Sequence, residues 1–178
     1  LGQAAGITAA LAHQNQIPPR AVSVRSVQRA LLSQGGYLFP YLDVPKEHPH
    51  FKAYQRIGAS GILRGTGKNI GWENQTWLYT DLPLRTKEVY LEEWDEFFVS
   101  EFPKNPTVSA VLSWLKQGVK ESQIPEWLSS IKKVQEHFGF PSFDPDTPMK
   151  RGQFAVLIDA LCDPFSREVD LYGRFTES

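Results

Sequence analysis

Apolar residues return at intervals of about three and four positions through most of this chain, the period of a helix that buries one stripe. Residues 3–14 hold five alanines against one glycine and predict a first helix, which the polar, proline-containing stretch 15–20 ends. Ser23 reads as the N-cap of a second helix, with Val24, Val27 and Leu31 on one face and Gly35 and Gly36 past its end. Residues 37–49 carry Pro40, Pro45 and Pro49 and are expected to form an irregular connector, followed by a helix from about Pro49 to Ser60. Gly61, Gly65, Gly67 and Gly71 then mark a long loop that runs to Pro83, within which Trp77, Leu78 and Tyr79 suit a short strand.

The second half of the chain repeats the helical period. A helix over Arg85–Phe98 would bury Tyr90, Trp94, Phe97 and Phe98 and leave Glu92, Glu93, Asp95 and Glu96 outside. Asn105 before Pro106 looks like an N-cap with proline in the first helical position, leading Val108, Val111, Leu112, Leu115 and Val119. Pro125 opens another helix, with Trp127, Leu128, Ile131, Val134 and Phe138 in register and Gly139 closing it. The last helix spans about Lys150–Cys162, with Phe154, Leu157, Ile158 and Leu161 inward. The predicted fold class is mainly α.

Composition narrows the function classes. In 178 residues, 41% are hydrophobic and 22% charged, which disfavours disorder and coiled coil and allows a real core. The net charge is -1, so no positive excess exists for nucleic acid. No run of apolar residues is long enough for a membrane span, and no signal peptide is seen. The chain starts at Leu1 inside an Ala-rich segment, as expected of a piece of a longer protein. Cys162 is the one cysteine and is expected to be a buried structural thiol. His48 and His50 with Glu47 supply no third ligand and read as helix-entry residues, so no metal site is expected. The acidic residues near Trp94 read as a solvated face, and no catalytic residue is assigned.

A weak internal duplication is present. Asp81, Pro83, Leu84 and Val89 match Asp146, Pro148, Met149 and Phe154 at a constant offset of 65 residues. LeuAspValProLysGluHisProHis at 42–50, Ile57 and GlyIleLeuArgGly at 61–65 resemble the opening of an S-layer homology repeat. PheAspProAspThrProMetLysArgGlyGlnPheAla at 143–155 resembles its closing half. The resemblance covers residues 41–163 as two imperfect helix-loop-helix copies and implies cell-wall polysaccharide as a ligand. The family's Thr-Arg-Ala-Glu element is replaced here by Arg85-Thr86-Lys87-Glu88 and by Lys150-Arg151-Gly152-Gln153. Glu is matched only in the first copy and Arg only in the second, and neither Arg85 nor Lys150 offers an acceptor to cap a helix. Loss of glycan binding with retention of the fold therefore stands beside its retention. The glycan contact set would be Arg85, Arg151, Trp77 and Tyr79, with the loop aromatics stacking on sugar rings or else anchoring a small local core.

Residues 2–12 followed by 24–35 are similar to the closing segment of a family of bacterial FAD-dependent oxidoreductases that includes xanthan lyase-like proteins. That resemblance implies a glutathione-reductase-like flavin fold in the parent, and a cell-envelope or secreted location. Gly2, Gln3, Ala4, Ala5 and Gly6 would bring free backbone N-H groups and the positive helix end to the cofactor; the plainer reading is close helix packing. The chain lacks the dinucleotide-binding glycine fingerprint, so FAD is expected only in the intact parent. The resulting expectation is a two-helix flavin-domain remnant at 1–36 and an S-layer-homology-like helical accessory domain at 37–178, non-catalytic by itself. Its partners would be the missing flavin domain or wall glycan, and the competing function is a stand-alone wall-binding or purely structural module.

Overall fold

The computed structural model describes residues 2–92, 94, 98, 100–118, 124–138 and 145–176. It is mainly helical, with six α-helices among the described residues: α1 Gly2–Asn15, α2 Val24–Ser33, α3 Phe51–Ser60, α4 Val108–Gln117, α5 Ile124–Phe138 and α6 Arg151–Cys162. One antiparallel hairpin, β1 Thr66–Ile70 and β2 Glu73–Trp77, interrupts them.

The centre is α6. Phe154, Ala155, Val156, Leu157 and Ile158 are wholly buried, so the middle of this helix is apolar all round and must be covered on every side. α3 and α5 pack directly on it. Phe102 sets its ring edge-on to Phe154, and on its other side Phe102 meets Trp114 of α4, over which Phe98 also stacks. Gly152 in the first turn of α6 is required sterically: a β-carbon there would lie 3.0 Å from the carbonyl oxygen of Thr80.

Two irregular segments meet at the start of α6. Leu84 N-H donates to Met149 O (2.7 Å), Arg151 N-H to Leu82 O (3.0 Å) and Gly152 N-H to Thr80 O (2.8 Å). On the other edge Met149 N-H donates to Pro106 O, and Val108 N-H to Thr147 O. The two segments that match at the 65-residue offset are thus hydrogen-bonded to each other. Both also start a helical turn in the same way: Arg85 N-H donates to Glu88 Oε2 (3.2 Å) and Lys150 N-H to Gln153 Oε1 (2.9 Å). Each is half of a capping box, the half that a basic N-cap residue can still form.

Several expected elements differ. The Arg85–Phe98 helix is not formed: Thr86–Glu88 makes a single 3-10 turn, and the described residues after it are irregular. Trp94 is buried as expected and Phe98 half-buried, but Tyr90 is exposed; Glu93, Asp95, Glu96 and Phe97 lie outside the described residues. Tyr90 N-H donates to Ile62 O and Leu63 bridges to Val89, and this pairing draws the backbone away from the helical path. The N-cap of α4 is Thr107, whose Oγ1 accepts from Ala110 N-H, not Asn105, because the carbonyl of Pro106 is committed to Met149. In α5, Ile131 and Val134 are buried and Leu128 is exposed; Val119, Gly139 and Phe143 lie outside the described residues. The long glycine-rich loop contains a full hairpin. Its strand ends at Trp77, where Leu78 turns into the core and Tyr79 adopts a left-handed conformation.

At the amino end Ser23 caps α2 as expected, accepting from Ser26 N-H (3.0 Å). The inward residues of α2 are Arg25 and Leu32, with Val24, Val27 and Leu31 only half-buried. Arg25 donates to Arg167 O, Gln28 Oε1 and Ala59 O, and its guanidinium lies 4.6 Å over the ring of Phe165. Leu32 belongs to the central core. α2 is therefore packed into the same body as the helices that follow residue 37, whereas α1 rests chiefly on α2 and on the Pro19–Ala21 turn.

The carboxyl-terminal strand of chain closes this end. Glu168 accepts from Ser23 Oγ and pairs with Arg29 at 2.6 Å. Burial opposes its ionisation, but the hydrogen bonds from Ser23 and Arg29 prevail and hold its pKa below the ordinary value. A carboxyl depressed in the folded state lends stability above its unfolded pKa and loses it as pH falls through the lower folded value. Thermal melting followed from about pH 5 to pH 3 should show this loss, and the Glu168→Gln variant should show a smaller acid dependence over that window. An identical acid profile in that variant would rule the contribution out.

Candidate functional site

The expected glycan-contact residues do not share one surface. Arg151, the first residue of α6, is 3% exposed. Its Nε donates to Leu78 O (2.7 Å), Nη2 donates to Arg64 O (2.8 Å), and Nη1 pairs with Glu88 Oε2 (2.8 Å). The guanidinium is used inside the protein. Arg85 is exposed, on the far side of the Glu88 turn that Arg151 helps to hold.

Trp77 and Tyr79 do come together. Their rings lie 5.7 Å apart at 12° between planes, both half-buried. The Lys68 ammonium on β1 lies 5.9 Å from the Trp77 ring centre and 5.1 Å from that of Tyr79, a cation on two aromatic faces. Gln75 accepts from Trp77 Nε1 and donates to Glu73, so the indole is fixed along the strand. The Tyr79 hydroxyl is buried without a hydrogen-bond partner among the described residues. Two carboxylate oxygens of Asp43 accept from Leu78 N-H (2.9 Å) and Tyr79 N-H (2.6 Å) and set the turn that presents this ring. Asp43 belongs to the LeuAspValPro motif, and this is the physical work of its carboxylate.

Trp72, a third loop aromatic of the kind expected to stack on sugar rings, lies at the hairpin tip, apart from the Trp77–Tyr79 pair. Trp72 is fully exposed and Ile70 is 53% exposed beside it. The two-residue loop between Ile70 and Glu73 puts Gly71 first with φ 61°, and a Gly-X pair between extended residues is the sequence signal for such a turn.

Gly2–Gly6 form the first turn of α1. Gly2, Gln3, Ala5 and Gly6 are exposed and Ala4 half-buried, and the positions where side chains would stand on Gly2 and Gly6 have no atom within 4 Å. Ile7 and Ala12 are the buried residues of α1, while Ala9 and Ala10 are exposed like the first turn. The small residues of this turn leave its backbone open to close approach, which is what the resemblance to the flavin-dependent family would require of them.

His48 and His50 pack with Tyr54 as an aromatic cluster, with ring centres 5.1–5.9 Å apart. His48 Nδ1 accepts from His50 N-H, which serves the entry to α3. Burial lowers the His48 pKa against the opposing pull of Asp81 and Asp43. No group of three metal-binding side chains occurs among the described residues. Burial pushes the Cys162 thiol up to about 12, which suits a structural residue and not a nucleophile. Among the described residues no helix is long and apolar enough to cross a membrane.

No family model, curated protein or solved structure matches the chain. Arg151 generates a direct test. Removing its guanidinium leaves the buried Leu78 carbonyl, the Arg64 carbonyl and the Glu88 carboxylate without their donor, so Arg151→Ala should cost about 3 kcal/mol in urea unfolding. Arg151→Lys should recover only part of this, because an ammonium cannot reach three separated acceptors in one plane. A loss under about 1 kcal/mol for the alanine variant would show that the cluster is not a structural anchor.

Proposed function

We propose that this chain is the non-catalytic carboxyl-terminal part of an FAD-dependent oxidoreductase, in which a helical accessory module is docked to a flavin-binding domain through α1. The observation that carries the reading is the bare face of α1. Gly2, Ala5, Gly6, Ala9 and Ala10 are exposed along it, while Ile7 and Ala12 hold the helix to α2 from behind. Small residues on an uncovered helix face let a second backbone or a planar cofactor come close, and the resemblance of residues 2–12 and 24–35 names the surface that would do so. FAD would supply the electron transfer in the parent. This chain would contribute backbone donors at Gly2–Gly6 and a close packing face, and no side chain of its own to the chemistry.

The native gene product tests this. Purified intact, it should be a much larger chain with the visible absorbance of bound flavin, and Gly6→Leu should lower flavin retention without changing the melting of the helical module. A colourless product of about this chain's size would overturn the proposal.

A second reading is favoured by the hairpin: a wall-glycan-binding module of the S-layer homology type, with Trp77, Tyr79 and Lys68 as a cationic aromatic platform and Arg85 nearby in sequence. In this reading Arg151 supports the platform from within by holding Arg64 and Leu78, and does not touch the glycan. The chain should then cosediment with cell-wall material, and Trp77→Ala should abolish this while leaving the fold intact. Failure of the unmodified chain to cosediment would eliminate the reading.

A further inference from the structure

We propose that the cleft between α2, α3 and the Pro164–Ser166 turn is a binding site for a small phosphate monoester, independent of both functional readings above. The cleft measures about 260 Å³, and Arg29, Lys52 and Arg56 line it. That volume is just under the roughly 300–1,000 Å³ of sites for drug-sized ligands, so a small metabolite fits and a polymer does not.

The cations are arranged for an anion. Arg56 is held by Asp159, which is 6% exposed: Nε donates to Oδ1 at 2.8 Å and Nη2 to Oδ2. Arg29 is held through Nη2 by Glu168, which Ser23 fixes in turn. Among the described residues Arg56 Nη1 and Arg29 Nε and Nη1 make no other hydrogen bond, so each guanidinium is oriented by a carboxylate and keeps donors to spare. A pre-set donor pays little ordering entropy when a ligand arrives.

Lys52 is the unusual member. It is exposed, and no carboxylate among the described residues pairs with it. It stands in the first turn of α3, where the helix end is positive and where this helix has no acidic residue. A cation is disfavoured there, and Arg56 four positions on adds like-charge repulsion on the same face. A dianion in the cleft would relieve both. The unpaired charge of Lys52 and the spare donors of Arg29 and Arg56, which keep their carboxylate partners, suit the several tetrahedral oxygens of a phosphate ester better than the two oxygens of a carboxylate. Leu32 and Phe165 also line the cleft and offer apolar surface to the carbon part of the ester, while Asp163 on the wall excludes a second anionic group and can accept from a hydroxyl.

Isothermal titration of the full chain with inorganic phosphate and phenyl phosphate at fixed ionic strength tests the site. Saturable binding is expected for both, tighter for phenyl phosphate, and weakened at least about tenfold by Lys52→Glu. Arg29→Gln should weaken it similarly and guards against a folding defect in the first variant, with helicity checked by circular dichroism. Three results overturn the proposal: no saturable heat, binding undiminished in either folded variant, or equal competition by chloride. Benzoate binding as tightly as phenyl phosphate would overturn the phosphate assignment and make the ligand a carboxylate.

Discussion

The guanidinium of Arg151 ties together three pieces of chain at the point where the hairpin begins and ends, reinforcing the strand pairing of Thr66 with Trp77 and the bridge between Leu63 and Val89. Arg64 comes just before the hairpin and Leu78 just after it, and the carbonyls of both are held by this one side chain. Glu88, on the third segment, takes the remaining edge and at the same time receives the backbone N-H of Arg85. Burying a cation costs several kcal/mol unless its donors and its charge are met, so the site is stable only as a complete set. The consequence reaches outward. Both feet of the hairpin are clamped at its base, and Thr76 is tied further to Tyr41 and Leu42, while Trp72 at the tip stands free in solvent.

The same device recurs where the backbone is irregular. Gln55 is wholly buried in α3, and its side chain accepts from Leu38 and Phe39 N-H at 2.7 Å and donates to Phe39 O at 2.9 Å. Asp43 does the equivalent for Leu78 and Tyr79. Proline-rich and turning segments cannot satisfy their own peptide groups, so a buried polar side chain must do so wherever they cross the core. Arg25 gives α2 the same treatment by reaching Arg167 O and Ala59 O from a position that is 1% exposed. Four polar side chains thus fix irregular segments and α2 onto a core whose centre is the apolar stretch Phe154–Ile158 of α6.

These ties explain what was legible in the sequence. Helices with strong periodicity or a good cap, α2, α3, α5 and α6, could be placed within a few residues, because local propensity and packing agree. The Arg85–Phe98 segment has the same period, but its described residues 89–92 are not helical. Its apolar residues are spent on strand-like pairing with residues 62–63 and on covering Trp114, contacts between positions distant in sequence. Arg151 was legible as a special residue through its place in a motif, but its direction was not: a basic residue at a helix start looks the same in sequence whether it faces solvent or three acceptors. The cleft cations were missed for the converse reason. Arg29, Lys52 and Arg56 sit on two helices with ordinary polar faces, and only the turn at Pro164–Ser166 brings them around one space.

The way α2 is fixed bears on how a partner of α1 would be oriented. Arg25 and Leu32 fix α2 to the core at two points on the same face, about two turns apart, so rotating or sliding α2 would break the hydrogen bonds of Arg25. α1 packs back on α2 through Ile7 and Ala12 and inherits that orientation. Its small-residue face therefore points in a fixed direction relative to α6, and a domain seated on it would be held rigidly with respect to the hairpin and the phosphate cleft. Burying Arg25 is compensated within the chain itself, by the Arg167 and Ala59 carbonyls, Gln28 and the ring of Phe165, so the helix it fixes is held by a complete set of partners.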